Sequence, residues 1–164
     1  MMTVGTPMLG ARPDGRPVFN PDSMAHRKDA YARGGVEELI RLQTRFVYSE
    51  PDAEDLRRMA IERMCRLPTE TILSFYDPDP GMDIAPLLES IAVPTLVAHG
   101  REDQLVTSAA SEFIASRIPG SQLYLFDGKG HTPMFSATDE FCDVLRNSIR
   151  TGRAERTSQG SLAA

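Results

Sequence analysis

Residues 91–133 form the stretch that most constrains the fold of this chain. They contain two short apolar runs, at residues 93–98 and 122–126, with a segment of helical periodicity between them. An amphipathic helix between two such runs is typical of a right-handed βαβ crossover, in which the strands are parallel and the loops that follow them open at one edge of the sheet. The sequence therefore predicts an α/β fold.

One ionisable residue of catalytic type follows each apolar run. Asp103 lies in HGREDQLV and His131 in GKGHTP. Because reaction sites of open α/β sheets lie at the carboxyl ends of the strands, we expect both side chains to face one crevice. A histidine can act there as a general base, and a carboxylate on its other ring nitrogen would fix its tautomer and stabilise the imidazolium.

Each of these residues also has an ordinary structural interpretation. Asp103 could bond to the backbone of its own loop, and His131 could be a solvated turn residue. Glu102 and Asp127 are alternative acids because they lie next to the same loops, and Glu102 is the better of the two.

The other histidines and the cysteines are weaker candidates. His99 precedes Gly100 at the end of the first run, and we expect a packed or turn-adjacent side chain there. His26 has no partner in the sequence pattern. Cys65 and Cys142 fit no metal-binding or redox spacing, so both are predicted to be small apolar residues in a reducing compartment.

The charge and hydropathy patterns exclude several partners. The net charge is −5 without a basic cluster, which argues against nucleic acid or an anionic membrane surface. No run approaches the roughly 20 apolar residues of a membrane span. The N-terminus has neither a basic region nor a long apolar region, so no secretory signal is predicted and a cytoplasmic location is expected.

Helical periodicity dominates residues 23–77. A first helix has Val36, Leu39, Ile40, Gln43 and Val47 on one face. A second is predicted from Asp52, whose carboxylate would cap it, and a third over residues 69–76 after Pro68. Residues 10–22, which are rich in proline and glycine, predict an irregular connection.

Two more helices are predicted after the loops that carry Asp103 and His131. Thr107 or Ser108 would cap the first of them. Ser136 and Thr138 compete as the cap of the second, and no further pattern follows residue 150.

Three motifs occur in a fixed order along the second half of the chain. They are Asp83-x-x-x-Leu87-x-x-Ile91-x-Val93-Pro94, Gly100-x-x-Asp103-x-x-Val106 and Gly128-x-Gly130-His131. This order resembles the C-terminal half of the α/β-hydrolase fold family, in the branch of esterases, non-haem haloperoxidases and C–C hydrolases. In that family the loop after the seventh strand supplies the catalytic acid, and the loop after the eighth supplies the base.

The resemblance implies a partial α/β-hydrolase fold, with a short parallel sheet of about three strands, flanking helices and a helical cap. Three regions follow from it: residues 1–9 as the end of a core strand, 10–82 as the cap and 83–150 as the C-terminal core. The small polar residues of 151–164 predict a disordered tail.

The resemblance also implies hydrolysis of an acyl ester or a related bond by a Ser-His-Asp type mechanism. Asp103 would be the acid and His131 the base, with a small apolar ester-like substrate and no metal or organic cofactor. Haloalkane cleavage and perhydrolase chemistry stay open because the nucleophile decides between them.

The family's nucleophile motif G-x-S-x-G does not occur in this sequence. We expect the attacking serine, the oxyanion loop and the first five strands to lie before Met1, so that this chain supplies acid and base only. The alternative is a catalytically inactive truncated or split fragment that acts by association with another subunit. In either case the first strand would have an unpaired edge, which predicts a homodimer, a complementing subunit or aggregation.

Overall fold

The computed structural model describes residues 2–4, 15–76 and 83–160. Its elements are β1 (Met2–Val4), α1 (Pro21–Ala25), α2 (Arg27–Val47), α3 (Glu54–Met64), α4 (Thr69–Tyr76), a 3₁₀-helix (Ala85–Ser90), β2 (Leu96–Gly100), α5 (Ser108–Arg117), β3 (Gln122–Phe126), α6 (Pro133–Ser136) and α7 (Thr138–Gly160).

The three strands form one parallel sheet in the order β1-β2-β3. Met2 pairs with Leu96 in the first ladder, and Leu96 pairs with Gln122 in the second. Helix α5 connects β2 to β3, so the predicted βαβ unit and the short parallel sheet are confirmed. Within the described residues β1 is paired along one side only.

Strand β2 lies further along the chain than the prediction of residues 93–98. Pro94 has no N–H to donate to a ladder, and the carbonyl of Thr95 accepts the first bond from the N–H of Gln122. The ladder then continues to Gly100, which pairs with Phe126. The first of the two apolar runs was therefore placed too early, whereas the second matches β3.

Helices cover both faces of the sheet. One face carries α5 and the 3₁₀-helix, over a core made of Leu88, Val97, Val106, Ala110, Ile114 and Ile118. The other face packs Leu96, Ala98 and Phe126 against Phe141 and Val144 of α7. Alternate residues of β2 thus enter opposite cores, as expected for a strand buried on both faces.

The helical segment before the sheet, residues 21–76, is built on α2. This helix contacts α1, α3 and α4, and it bends at Gly34 and Gly35, where φ and ψ leave the helical range. Helix α4 has the predicted bounds. Helix α1 begins inside the predicted irregular connection, because the side chain of Asn20 accepts a bond from the N–H of Asp22 and caps it.

The start of α3 differs from the prediction at Asp52. The N–H of Ala53 bonds to the carbonyl of Glu50, so residues 50–53 form a turn and the helix begins at Glu54. Ala53 is its N-cap and offers no side-chain bond. The acidic first turn of the helix is as predicted.

The C-terminal helix is longer than its sequence pattern indicated. Helix α6 ends at Ser136, and α7 runs from Thr138 to Gly160, past the predicted end at residue 150. Gly152 is buried, and a Cβ there would lie 3.0 Å from Cβ of Pro94, so the helix is held against the start of the sheet at that point. Residues 161–164 of the predicted tail lie outside the described residues.

Two further observations concern side chains and hydropathy. Both cysteines are free, but Cys65 is exposed and Cys142 is partly buried, so the prediction that both are packed apolar residues was wrong for Cys65. Among the described helices, none combines the length and the apolar character that crossing a bilayer requires.

Candidate active site

The loops after β2 and β3 lie side by side at the carboxyl edge of the sheet. The N–H of Arg101 bonds to the carbonyl of Phe126 at 3.0 Å, and the N–H of Glu102 bonds to the carbonyl of Lys129 at 3.0 Å. These bonds extend the pairing of β2 with β3 beyond the strands. The first loop therefore cannot move without the second.

A close approach of two glycines makes this contact sterically feasible. A Cβ at Gly100 would lie 1.9 Å from the carbonyl oxygen of Gly130 and 2.4 Å from that of Lys129. Distances below 3.0 Å to backbone atoms cannot be relieved by a side-chain rotation. Only glycine at position 100 lets the second loop cross the end of β2.

Asp103 and His131 are in direct contact, as the shared sheet edge predicted. Oδ2 of Asp103 lies 2.8 Å from Nδ1 of His131. The Asp103 side chain is 1% exposed, whereas that of His131 is 21% exposed. Since an ionised carboxylate only accepts hydrogen bonds, Nδ1 carries the proton, and in the neutral ring the lone pair is on Nε2. This is the tautomer that a general base needs.

The Asp103 carboxylate is held from four directions. Oδ1 accepts from the N–H of Leu105 at 2.7 Å and from the N–H of Val106 at 3.0 Å. Oδ2 lies 3.0 Å from Nε2 of His99, in addition to its contact with His131. The bonding of Asp103 to its own loop, considered above as the ordinary interpretation, thus occurs together with the pairing to His131.

These contacts determine the ionisation of Asp103. Burial acts to raise its pKa, but the hydrogen bonds from His131 and His99, the charge of His131 and the N–H of Val106 together outweigh burial, and the pKa falls from 3.8 to about 2. The carboxylate is consequently ionised at neutral pH.

His99 contributes more to this site than the sequence indicated. It is fully buried, as predicted, but its ring contacts the acid and also bonds to Oγ of Ser111 at 2.7 Å. The available signal was the spacing of His99 and Asp103, which are four residues apart across a tight turn.

Glu50 was not identified from the sequence. It lies in the turn between α2 and α3, is 7% exposed, and its Oε1 accepts from the N–H of Gly130 at 2.8 Å. Its Oε2 is buried without a hydrogen-bond partner among the described residues. A cavity of about 290 Å³ lies beside it. The residues lining this cavity are Ser49, Glu50, Pro51, Glu102, Gln104, Gly128 and Gly130.

The other sequence candidates lie outside the contact between acid and base. Asp127 is exposed and pairs with Nε of Arg101 at 2.5 Å. Glu102 is exposed, and so is His26, which precedes α2. Within the described ranges, no group of three or more His, Cys, Asp or Glu side chains is arranged to hold a metal ion.

Comparison with known sequences finds hydrolases. A search of family models found no match. The chain is 26% identical over 129 residues to the pimeloyl-[acyl-carrier protein] methyl ester esterase of Neisseria meningitidis, covering 78% of this chain and 48% of that protein. It is 26% identical over 150 residues to the 2-hydroxy-6-oxononadienedioate/2-hydroxy-6-oxononatrienedioate hydrolase of Escherichia coli, covering 87% of this chain and 52% of that protein. The chain thus spans about half the length of these curated relatives.

Solved structures with the same fold are also hydrolases or related enzymes. An esterase from Exiguobacterium antarcticum matches with a TM-score of 0.75 at 18% identity, covering 91% of this chain and 56% of the esterase. A bromoperoxidase from Bacillus anthracis matches with a TM-score of 0.74 at 18% identity, covering 89% of this chain and 55% of that enzyme. The relatives in sequence support ester hydrolysis at the level of the family, and the structures support the fold. The chain has a partial α/β-hydrolase fold.

Proposed function

We propose that this chain supplies the acid–base pair of a hydrolase that cleaves acyl esters by a Ser-His-Asp type mechanism. His131 is the general base and Asp103 orients it. The observation that carries the proposal is the 2.8 Å contact between Oδ2 of Asp103 and Nδ1 of His131 at the carboxyl edge of a parallel sheet. The buried, ionised acid and the partly exposed base match the roles of a catalytic triad.

The chemistry follows from the tautomer of His131. Nε2 of His131 takes the proton of a serine hydroxyl as the serine oxygen attacks the ester carbonyl. Collapse of the tetrahedral adduct expels the alkoxide, which receives that proton from the imidazolium. Water then attacks the acyl-enzyme while Nε2 of His131 takes one of its protons, and the acyl–serine bond breaks as the serine oxygen receives that proton. The products are a carboxylic acid and an alcohol. The negative charge of Asp103 stabilises the imidazolium in both steps.

The attacking serine is the part that this sequence does not supply, because it contains no G-x-S-x-G. In the proposal the serine and the oxyanion-binding N–H groups come from a segment that pairs with the side of β1 that has no partner among the described residues. A parallel strand added there would continue the sheet in the order of the family.

The substrate class rests on the named relatives and on the helical segment. One curated relative is named as a methyl ester esterase. We propose a small ester with an apolar acyl part, bound under residues 10–82 acting as a cap. In α3 of that segment Met59 is exposed and Met64 is half-buried.

The side of β1 that is unpaired within the described ranges also favours a second candidate function. The chain would then be a fragment that is inactive alone and acts by association, either with a second copy of itself or with a complementing subunit. The first candidate requires turnover from the assembled site, whereas the second requires only binding.

A complementation assay separates the two candidates. The purified chain is assayed on a short-chain aryl ester, alone and mixed with a polypeptide that carries the G-x-S-x-G half of an α/β-hydrolase. We expect a rate close to background for the chain alone and turnover in the mixture. The mixture made with His131→Ala should lose that turnover by a factor of about 10³ or more.

The matched control is His26→Ala, which removes an exposed histidine outside the site. This variant should retain the activity of the mixture. Turnover that is unaffected by His131→Ala would refute the role of His131. A stable complex without turnover would support the associating fragment, and reading the coding sequence before Met1 for a G-x-S-x-G in any frame would show where a serine could come from.

A further inference from the structure

We propose that His99 is a positioning residue of this site: its ring, fixed by Ser111, donates a buried hydrogen bond to Oδ2 of Asp103 and so holds the oxygen that His131 needs. This inference deepens the proposed function and rests on it for its catalytic meaning. The arrangement is a buried relay from Ser111 through His99 and Asp103 to His131.

The tautomer of His99 follows from its neighbours. Nε2 lies 3.0 Å from the carbonyl oxygen of Val106 and 3.0 Å from Oδ2 of Asp103. Both of these oxygens only accept, so Nε2 carries the proton. Its hydrogen bond is directed to the carbonyl of Val106, and Oδ2 of Asp103 lies within reach of the same N–H. Nδ1 lies 2.7 Å from Oγ of Ser111. In the proposed tautomer Nδ1 accepts from that hydroxyl, and Nε2–H faces the acid as the donor.

Burial excludes water as an alternative partner for this hydrogen bond. The side chain of His99 is 0% exposed and that of Asp103 is 1% exposed, so neither group can exchange its partner for water. A buried carboxylate needs donors on both oxygens to stay ionised. The N–H groups of Leu105 and Val106 donate to Oδ1, while the ring N–H groups of His99 and His131 face Oδ2.

His99 is the donor on Oδ2 that stays in place during the reaction. In the proposed cycle His131 gains and loses a proton, and its side chain is 21% exposed. His99 is packed beneath the loop and anchored on α5 through Ser111, so it maintains the orientation of Oδ2 in both states. In the proposed tautomer the ring adds no positive charge to compete with the imidazolium of His131. The hydrogen bond from His99 also acts to lower the pKa of Asp103.

Two variants distinguish this role from simple core filling. His99→Gln keeps a side-chain N–H at about the reach of Nε2, whereas His99→Leu fills similar space without any donor. The measurements are the ¹³C titration of the Asp103 carboxyl and the ¹H resonance of Nδ1–H in His131, both made by NMR on the full chain. Neither needs a nucleophile, so failure of this inference can be told apart from failure of the proposed hydrolase function.

We expect His99→Leu to raise the Asp103 midpoint by about one pH unit or more and to shift or broaden the Nδ1–H signal. His99→Gln should stay near the wild type in both measurements. Unchanged signals in a folded His99→Leu protein would overturn the proposal, as would equal effects of both variants.

A measurement on the wild type covers the case in which His99→Leu does not fold. The ¹⁵N shifts of the His99 ring at neutral pH should show a protonated Nε2 and an unprotonated Nδ1. A protonated Nδ1 would overturn the proposal, because the ring could not then be a neutral Nε2–H donor that accepts from Ser111.

Discussion

Gly100 and Gly130 lie so close together that a Cβ on Gly100 would come within 1.9 Å of the carbonyl oxygen of Gly130. This contact joins the loop of Asp103 to the loop of His131. The distance between acid and base therefore depends on a position that has no side chain.

Gly100→Ala should consequently disrupt the site. The added methyl group meets backbone atoms, so the two loops must separate. We expect a loss of about 3 kcal/mol or more in the free energy of unfolding, measured by urea denaturation. The Nδ1–H signal of His131 should also disappear or move, because the bond to Asp103 lengthens.

Gly120→Ala is the matched control for this substitution. Gly120 has open space where a Cβ would be, but its φ is +68°. Its cost should be about 1 kcal/mol, from backbone conformation alone, with the His131 signal retained. Equal effects at positions 100 and 120 would contradict the steric explanation.

Glu50 connects the helical segment to the loop of His131. Replacing it by alanine removes the acceptor of the Gly130 N–H, which is buried. We expect Glu50→Ala to cost about 1 to 3 kcal/mol in the free energy of unfolding and to speed hydrogen exchange at the Gly130 amide. Glu50→Gln keeps an acceptor oxygen and should cost less.

The control for Glu50→Ala is Glu62→Ala. Glu62 is exposed in α3 and pairs with Arg66, which follows the helix, so its loss should cost well under about 1 kcal/mol and leave the Gly130 amide unchanged. Wild-type exchange at Gly130 in Glu50→Ala would show that the bond does not hold the loop.

The sequence predicted the pairing of Asp103 with His131 because a single local rule suffices: in a βαβ unit both strand ends meet at one edge. It did not predict the roles of Glu50 and His99. The contact of Glu50 with Gly130 joins residues 80 positions apart. A hydrophobic period predicts single helices and strands, but it does not predict where the turn after α2 lies relative to the sheet. The His99 contact depends on which way a ring turns in the core, which spacing alone does not determine.

The free side of β1 makes self-association a further prediction. In the described part of the chain β1 pairs only with β2, and an unpaired strand edge offers N–H and C=O groups to another chain. We expect the isolated chain to form dimers or larger species at micromolar concentration, with a mass by light scattering that rises with concentration. A monodisperse monomer across the same range would show that the edge is protected.

The pH dependence of stability tests the charge on Asp103. Its pKa in the folded chain is about 2, below the ordinary value of 3.8, so the folded state binds the proton more weakly than the unfolded state. The stability that Asp103 contributes is therefore fully present above about pH 4 and is lost as the pH falls toward 2, with a magnitude of about 2 kcal/mol. Urea denaturation of the wild type and of Asp103→Asn between neutral pH and pH 2 measures this contribution. The difference in the free energy of unfolding between the two proteins should shrink as the pH falls.

Asp143→Asn removes one exposed carboxylate on α7 and serves as the control for charge alone. A difference in the free energy of unfolding that stayed constant over this range would contradict a lowered pKa of Asp103.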